Sequence, residues 1–167
     1  IQKNTEELMQ LVNDVLDLSR LEANMMKFQI QEYDAVALCN DAIYMARMRN
    51  EETIEIYFDT HIETQPITTD TGRLIQALVS TLTYPQKNTA HREITFTLTR
   101  DDSGKQICFR ISNSPLADPE FNSQEVSIRH DINRLLLQHF GGSYNITADE
   151  QERPVINFTY PLDIISE

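Results

Sequence analysis

The sequence predicts an α/β two-layer sandwich, with a mixed sheet of about five strands covered on one face by three helices and preceded by a long amphipathic helix. Three observations lead to this prediction. A helical periodicity free of glycine and proline runs over residues 5–27. Downstream, segments with a helical period alternate with segments in which every second residue is apolar. Hydrophobic residues make up 40% of the 167 positions, which is enough to form a core.

The first helix carries an apolar stripe. Leu8, Leu11, Val15 and Leu18 recur in steps of three and four residues, the spacing of a helix–helix seam. We therefore expect a partner helix, supplied by a second chain or by a segment that precedes residue 1. The alternative is a helix that docks on the core of its own domain.

The remaining elements are expected in the order α-β-α-β-β-α-β-β. The turn sequence Asp101–Gly104 predicts a hairpin, and Gly141-Gly142 predicts the end of the last helix. We divide the chain into the first helix, residues 1–30, and a domain over residues 31–167. The predicted helices cover 34–50, 71–82 and 126–140, and the predicted strands cover 54–58, 94–100, 106–112, 144–147 and 155–160. The residues expected to form the framework of the core are Leu74, Leu78, Ile111, Leu135, Leu136 and Phe158.

Charge and cysteine content exclude several classes of function. With 26 acidic against 14 basic residues, the formal net charge is −12, which argues against a surface that binds the phosphates of DNA or RNA. Cys39 and Cys108 are far apart and form no CxxC pair, so neither a disulfide framework nor a thiolate zinc site is expected.

Several motifs resemble those of one family. Residues 11–23 read LVNDVLDLSRLEA and closely resemble the second dimerisation helix of sensor histidine kinases. Residues 70–78 are similar to the opening of that family's N box, and residues 139–142 and 157–162 are similar to its closing segments. The resemblance implies the C-terminal part of a two-component sensor, with the end of the dimerisation and phosphoacceptor hairpin followed by an ATP-binding domain of the GHKL type.

The resemblance also implies partners and a reaction. The family's domain passes the γ-phosphate of Mg-ATP to a histidine on the first hairpin helix, and the receiver domain of a response regulator then takes it. The parent protein is thus expected to form a homodimer through a four-helix bundle, and this chain to be the cytoplasmic portion of a larger bacterial sensor. The phosphoacceptor histidine is expected upstream of Ile1, so the chain alone is expected to be inactive.

The N box departs from the family pattern. Two asparagines four residues apart would reach Mg²⁺ and phosphates together, but these positions align with Ser80 and Tyr84. A serine hydroxyl is a weaker ligand, and the tyrosine would sit where metal and phosphates belong. Lys87 aligns with a lysine that contacts phosphate in the family, although a solvated surface lysine is the commoner role.

The G1 box departs as well. In place of Asp-x-Gly-x-Gly the chain has Asn113, Pro115 and Ala117. Asn113 keeps a carbonyl oxygen that could accept a hydrogen bond from adenine, but an asparagine in a turn that ends a strand is an equally good interpretation. Both glycines are missing, and proline lacks an N–H.

The lid and the G2 box are reduced. Seven residues separate Pro119 from Ser127, too few for the family's long lid. Family glycines at the start of the phosphate-binding helix align with Ser127 and Arg129, where free N–H groups of a helix N-terminus are expected. Arg129 could neutralise an anion or pair with a nearby carboxylate, and we favour the ion pair.

The four histidines give no convincing phosphoacceptor or metal site. His61 has a proline five residues later, as in an H box, but it follows a strand instead of lying within a helix. His91 and His130 lack metal-ligand spacing to partners, and no catalytic triad is evident.

Together, the motifs predict a histidine-kinase-like module whose nucleotide site is impaired or absent and which has a regulatory or scaffolding role. Neither a cofactor nor a metal is expected on this reading. One alternative is a divergent but active ATP-dependent kinase that uses Ser80, Lys87, Asn113 and Arg129 with ATP and Mg²⁺. The other is a pocket adapted to a different ligand, made smaller and more apolar by Tyr84, Pro115 and Leu116.

Overall fold

A computed structural model describes residues 2–50 and 53–162, with side chains from residue 5 onward. The helices are α1 Gln2–Glu22, α2 Ala35–Asn50, α3 Thr71–Thr81 and α4 Gln124–His139, and a 3₁₀ turn spans Pro115–Ala117. The strands are β1 Ile30–Asp34, β2 Ile54–Thr60, β3 Pro66–Asp70, β4 Arg92–Arg100, β5 Gln106–Ser112, β6 Ser143–Ala148 and β7 Pro154–Pro161. In this part of the chain no helix is long and apolar enough to cross a membrane.

The main sheet confirms the predicted architecture. Its five strands lie in the order β2-β4-β5-β7-β6, and the pair β2–β4 is parallel while the other three pairs are antiparallel. Helices α2, α3 and α4 cover one face of the sheet. The predicted hairpin joins β4 to β5 through a turn in which Gly104 adopts a φ of 71°, a conformation that glycine reaches without strain.

The core lies between this sheet and its helices. Five of the six predicted framework residues are buried, namely Leu74, Leu78, Ile111, Leu136 and Phe158. The prediction was wrong for Leu135, which is only partly buried and borders a groove between the end of α1 and the end of α4. Its position on α4 turns it away from the sheet, because α4 buries the neighbouring Leu136 and Leu137 instead.

A second, two-stranded sheet was not predicted. Strand β1 pairs antiparallel with β3, with Ile30 opposite Asp70. The sequence pattern missed it because β1 is largely exposed and polar, so it lacks the alternation of a half-buried strand. The carboxylate of Asp70 accepts hydrogen bonds from the backbone N–H groups of Gln29 (2.9 Å) and Arg73 (3.0 Å), which ties this sheet to the start of α3.

Helix α1 ends at Glu22, five residues before the predicted end at Lys27. The cause is Asn24, which adopts a left-handed backbone with φ of 59°. The backbone N–H of Met25 donates to the Arg20 carbonyl at 2.7 Å, which closes the helix end. Asparagine tolerates this conformation better than most residues, so it ends the helix without a glycine or proline.

One face of α1 packs on the domain, and the other face is exposed. The inward face lies along α4 and places Leu11, Asp14 and Leu18 against the domain. The outward face exposes a set of large apolar side chains, of which Leu8 is 59% exposed; the set comprises Leu8, Met9, Val12, Val15 and Leu16. The inward face of α1 thus packs on α4 of its own domain without joining the hydrophobic core, and the partner helix expected for the outward face stays a prediction.

Helix α4 ends where the glycine pair predicts. The N–H of Gly141 donates to the Gln138 carbonyl (3.0 Å), and the N–H of Gly142 donates to the Leu137 carbonyl (2.8 Å). Gly141 has a φ of 85°. A Cβ added at Gly142 would lie 2.0 Å from the carbonyl oxygen of Thr159, so β7 approaches this glycine too closely for any side chain.

Candidate functional site

A cleft of about 420 Å³ lies between α1, α3, α4 and the loop of residues 83–89. One wall comes from the inward face of α1, and the opposite walls come from the helices of the sandwich. The cleft is lined by Glu7, Gln10, Leu11, Asp14, Arg49, Asn50, Thr53, Gln76, Ser80, residues 83–89, Leu116, Glu125, Val126 and Arg129. Its lining contains three carboxylates and three cationic side chains, so its formal charges cancel.

The structure brings four of the eight predicted nucleotide positions to this cleft. Ser80, Tyr84, Lys87 and Arg129 line it. Among the described residues, the cleft lining does not include Asn113, Pro115, Ala117 or Ser127.

The hydroxyl of Ser80 is engaged within the domain. It donates to the carbonyl of Ala77 one turn earlier, at 2.6 Å, and accepts from the side-chain amide of Asn133 on α4 at 3.1 Å. Both contacts hold the hydroxyl between α3 and α4. A ligand that used this oxygen would have to displace the bond from Asn133 or share it.

Tyr84, which lines the cleft, belongs to an aromatic and cationic cluster. Its hydroxyl donates to the Ala90 carbonyl at 2.8 Å, and its ring packs edge-on against Phe121 at a centroid distance of 5.8 Å. The guanidinium of Arg92 lies 5.7 Å from the ring centroid and forms an ion pair with Asp118. These contacts fix the tyrosine ring between the loop that follows α3 and the loop that precedes α4.

Asn113 has a role in the turn after β5. Its φ is 65°, its side-chain N–H donates to the Glu93 carbonyl at 3.0 Å, and its side-chain oxygen accepts from Arg92 at 3.1 Å. The nitrogen and the oxygen of this side-chain amide are thus both bonded to residues of β4. This geometry matches the turn interpretation offered from the sequence.

Pro115 and Ala117 form the 3₁₀ turn that follows. The buried hydroxyl of Ser114 accepts from the N–H of Leu116 at 3.2 Å and donates to the Thr81 carbonyl at 2.7 Å. The turn is therefore anchored to the end of α3. Only Leu116 of this turn reaches the cleft.

Arg129 forms the ion pair that the sequence analysis favoured. Its guanidinium contacts the carboxylate of Asp14 on α1 at 2.6 Å, and the two side chains are 12% and 11% exposed. Gln10 donates to the same carboxylate oxygen at 2.9 Å. A second bridge joins Asp17 of α1 to Arg73 of α3 at 3.4 Å. We call this set, Gln10, Asp14, Asp17, Arg73 and Arg129, the α1 latch.

The N-terminus of α4 differs from the prediction. The helix begins at Gln124, three residues before Ser127, because Ser123 caps it by accepting from the N–H of Val126. The N–H of Ser127 already donates to the Ser123 carbonyl at 3.2 Å. The expectation of free N–H groups at Ser127 was therefore wrong, and both aligned positions lie within the helix.

His130 connects α4 to the 3₁₀ turn and to β6. Its Nε2 lies 3.1 Å from the Leu116 carbonyl, and its Nδ1 lies 2.7 Å from the Tyr144 hydroxyl. A carbonyl only accepts, so Nε2 carries the proton and Nδ1 accepts from the tyrosine. Burial lowers the pKa of His130 and raises the pKa of Tyr144, because each charged form would lose hydration. The neutral imidazole thus holds the turn that borders the cleft.

Sequence reasoning missed the wall that α1 contributes. The apolar stripe predicts only the apolar contacts of this helix, and it does not include Asp14 or Gln10. A signal was available, since Asp14 lies within the family-like motif and carries a charge beside apolar positions.

Comparisons with known proteins give one relative and many similar structures. No protein-family model matches the chain. The hybrid signal transduction histidine kinase A of Dictyostelium discoideum is 26% identical over 104 residues, which is 62% of this chain. The chain spans only 5% of that relative's length.

Three solved structures illustrate the likeness in fold. The histidine kinase AdeS of Acinetobacter baumannii has a TM-score of 0.72 at 14% identity, covering 97% of this chain and 82% of its own. Full-length ShkA in complex with AMPPNP has a TM-score of 0.71 at 20% identity, covering 99% and 38%. The histidine kinase ThkA in complex with the response regulator protein TrrA has a TM-score of 0.70 at 14% identity, covering 97% and 49%. The chain has the fold of a histidine kinase catalytic domain, as the motifs implied.

Proposed function

We propose that this chain is the C-terminal module of a two-component sensor protein in which the nucleotide site is impaired or absent, so that the module regulates or scaffolds instead of transferring phosphate. The proposal rests on one observation above all. The side chains at four of the family's nucleotide positions, Ser80, Tyr84, Asn113 and Arg129, make contacts inside the protein, while the fold around them is intact. Function depends on the site and not on the fold alone.

The residues present do not fit Mg-ATP. At the first asparagine position, the Ser80 hydroxyl already bonds to Ala77 and Asn133. At the second, Tyr84 places an aromatic ring in the cleft lining. Arg129, which aligns with a glycine of the family's G2 box, is neutralised by Asp14. A triphosphate needs several unpaired cations or N–H groups, whereas the charges of this cleft cancel.

The proposal is tested by titrating the chain with Mg-ATP in an isothermal calorimeter, with ShkA as the positive control because that protein has been seen with AMPPNP. We expect no saturable heat with this chain under conditions in which ShkA titrates. A dissociation constant in the micromolar range would contradict an absent site.

A divergent but active kinase is the second candidate. It is favoured by Lys87, which lines the cleft and makes no ion pair with any described residue. This candidate predicts that the full-length protein incorporates the γ-phosphate of ATP into a histidine upstream of Ile1. Absence of labelling with both Mg²⁺ and Mn²⁺ would eliminate it.

A cleft adapted to another ligand is the third candidate. Its volume of about 420 Å³ falls within the range of roughly 300–1,000 Å³ typical of small-molecule sites. Tyr84 and Leu116 give the lining an apolar portion. A ligand screen by thermal shift would support this candidate if a hit lost its effect in Leu116→Asp.

The proposed partners follow from the family likeness. ThkA has been seen with the response regulator TrrA, and we infer that a receiver domain is likewise the partner of the protein to which this chain contributes. The exposed outward face of α1 supports a homodimer through a helical bundle in a longer, cytoplasmic sensor segment. Light scattering on a chain that includes the preceding helix would give a dimer mass, and Leu8→Glu should reduce it to a monomer.

A further inference from the structure

Three side chains of types that can ligate a metal lie together on the face of the sheet that the helices leave uncovered. Nε2 of His91 lies 3.8 Å from a carboxylate oxygen of Glu55 and 3.7 Å from one of Glu93. The ligand atoms of the three residues all lie within 4.8 Å of one another. Spacing along the chain does not indicate this group, because Glu55 lies 36 positions before His91.

The backbone sets these positions firmly. Glu55 on β2 and Glu93 on β4 are direct partners in the parallel register. His91 is two residues before Glu93, so the extended chain directs both to the same face. The opposite face is held in the core by Ile56 and Ile94, which are 4% and 0% exposed. The hydroxyl of Tyr57 donates to Glu55 at 2.8 Å and orients that carboxylate.

The charges of this group favour a cation. Two carboxylates that face each other directly across neighbouring strands repel one another. Among the described residues, the ion-pair contacts of Glu55 and Glu93 are with His91 alone. A divalent cation would bind both carboxylates and the imidazole nitrogen together.

The dimensions suit a transition metal. For three atoms at these separations, the equidistant point lies about 2.4 Å or less from each, and zinc bonds to nitrogen and carboxylate oxygen at about 2.0–2.2 Å. Exposed side chains can move the few tenths of an ångström by which these ligand atoms would have to approach the metal. Two carboxylates with one imidazole are ligands for Zn²⁺ and its neighbours Co²⁺ and Ni²⁺.

We propose that Glu55, His91 and Glu93 form a surface site for a divalent transition metal, with water completing the coordination. The site is separate from the cleft and does not depend on the function proposed for it. A metal held there would join the edge strand β2 to β4.

The test is a calorimetric titration of the untagged chain with Zn²⁺ at neutral pH, after chelator treatment and removal of the chelator. We expect one Zn²⁺ per chain and a loss of affinity of tenfold or more in both His91→Ala and Glu93→Gln. His61→Ala is the matched control, since His61 is also an exposed histidine but lies at the far end of β2. Circular dichroism verifies that each variant is folded.

Absorption of the Co²⁺ complex provides a second readout that reports directly on the ligands. Its d–d bands should change in His91→Ala and stay unchanged in His61→Ala. The proposal is overturned if Zn²⁺ binds equally well to His91→Ala, if no binding is detected, or if one Zn²⁺ is bound per two chains.

Discussion

The α1 latch should decide whether the first helix stays on the domain. The perturbation is Arg129→Met, which keeps the aliphatic stem of the side chain and removes its charge. The Asp14 side chain is 11% exposed, so the substitution leaves a nearly buried carboxylate whose described side-chain partner is then Gln10 alone. Stranding one member of a buried ion pair costs about 3–5 kcal/mol, and the residual exposure places our expectation at about 3 kcal/mol.

The charges of Asp14 and Arg129 also stabilise each other directly. Two unit charges about 4 Å apart attract by about 4 kcal/mol at an effective dielectric constant near 20. Desolvation of both groups offsets part of that attraction, so we expect a coupling free energy of about 2 kcal/mol in the double-mutant cycle of Asp14→Asn and Arg129→Met.

Hydrogen exchange measured by mass spectrometry reports the loss of stability of α1 itself. A loss of about 3 kcal/mol corresponds to a rise of about a hundredfold in the exchange of α1 amides, if α1 opens before the rest unfolds. Asp131→Asn is the matched control, because its bridge to Arg134 is exposed and joins residues of one helix. Equal exchange of α1 in Arg129→Met and Asp131→Asn would refute the reasoning.

The remaining predictions concern the packing around the site. Gly142→Ala should lower the free energy of unfolding in urea by more than about 2 kcal/mol, because its Cβ would meet the Thr159 carbonyl at 2.0 Å. Gly72→Ala, whose nearest contact in its helix is at 3.8 Å, should instead raise the free energy of unfolding by about 0.5–1 kcal/mol. Equal effects of the two substitutions would contradict the close approach of β7 to Gly142. Ser114→Ala should cost about 1–3 kcal/mol in the same assay, since it strips two buried backbone groups of a partner, and an effect within error would count against that anchor. Burial lowers the pKa of His130 in the folded state, so its stabilising contribution is present above the unfolded pKa of about 6.5 and is lost as pH falls through the folded value. His130→Gln should therefore flatten the loss of stability between pH 7 and pH 5. An unchanged slope would show that this imidazole does not cause the loss.

Most of the fold follows from local patterns. The alternation of Ile54 and Ile56 with Glu55 and Tyr57 predicts β2 because a strand exposes every second residue. Where the pattern is weak, prediction failed. Strand β1 is exposed and polar, and its partner β3 begins more than 30 residues after β1 ends, so nothing local marks either one.

The candidate site was predictable only in part. Motif alignment indicated which positions had lost the family's asparagines and glycines, and it favoured an ion pair for Arg129. It did not indicate that the partner is Asp14, because α1 and α4 meet only through packing. It also placed Ser127 at a helix start, whereas Ser123 caps α4 one turn earlier.

The sequence by itself determined the class of fold and the presence of a long helix before the sandwich. It also determined the departures from the family's nucleotide motifs. These depend on the identity of each residue and of its near neighbours. Only the tertiary structure decided what the substituted side chains do: the carboxylate that neutralises Arg129 lies 115 positions away, and the amide of Asn113 bonds back to β4. The physical reason is that hydrogen bonds and ion pairs act over a few ångströms of space, and distance in space between remote residues is set by packing and not by local pattern.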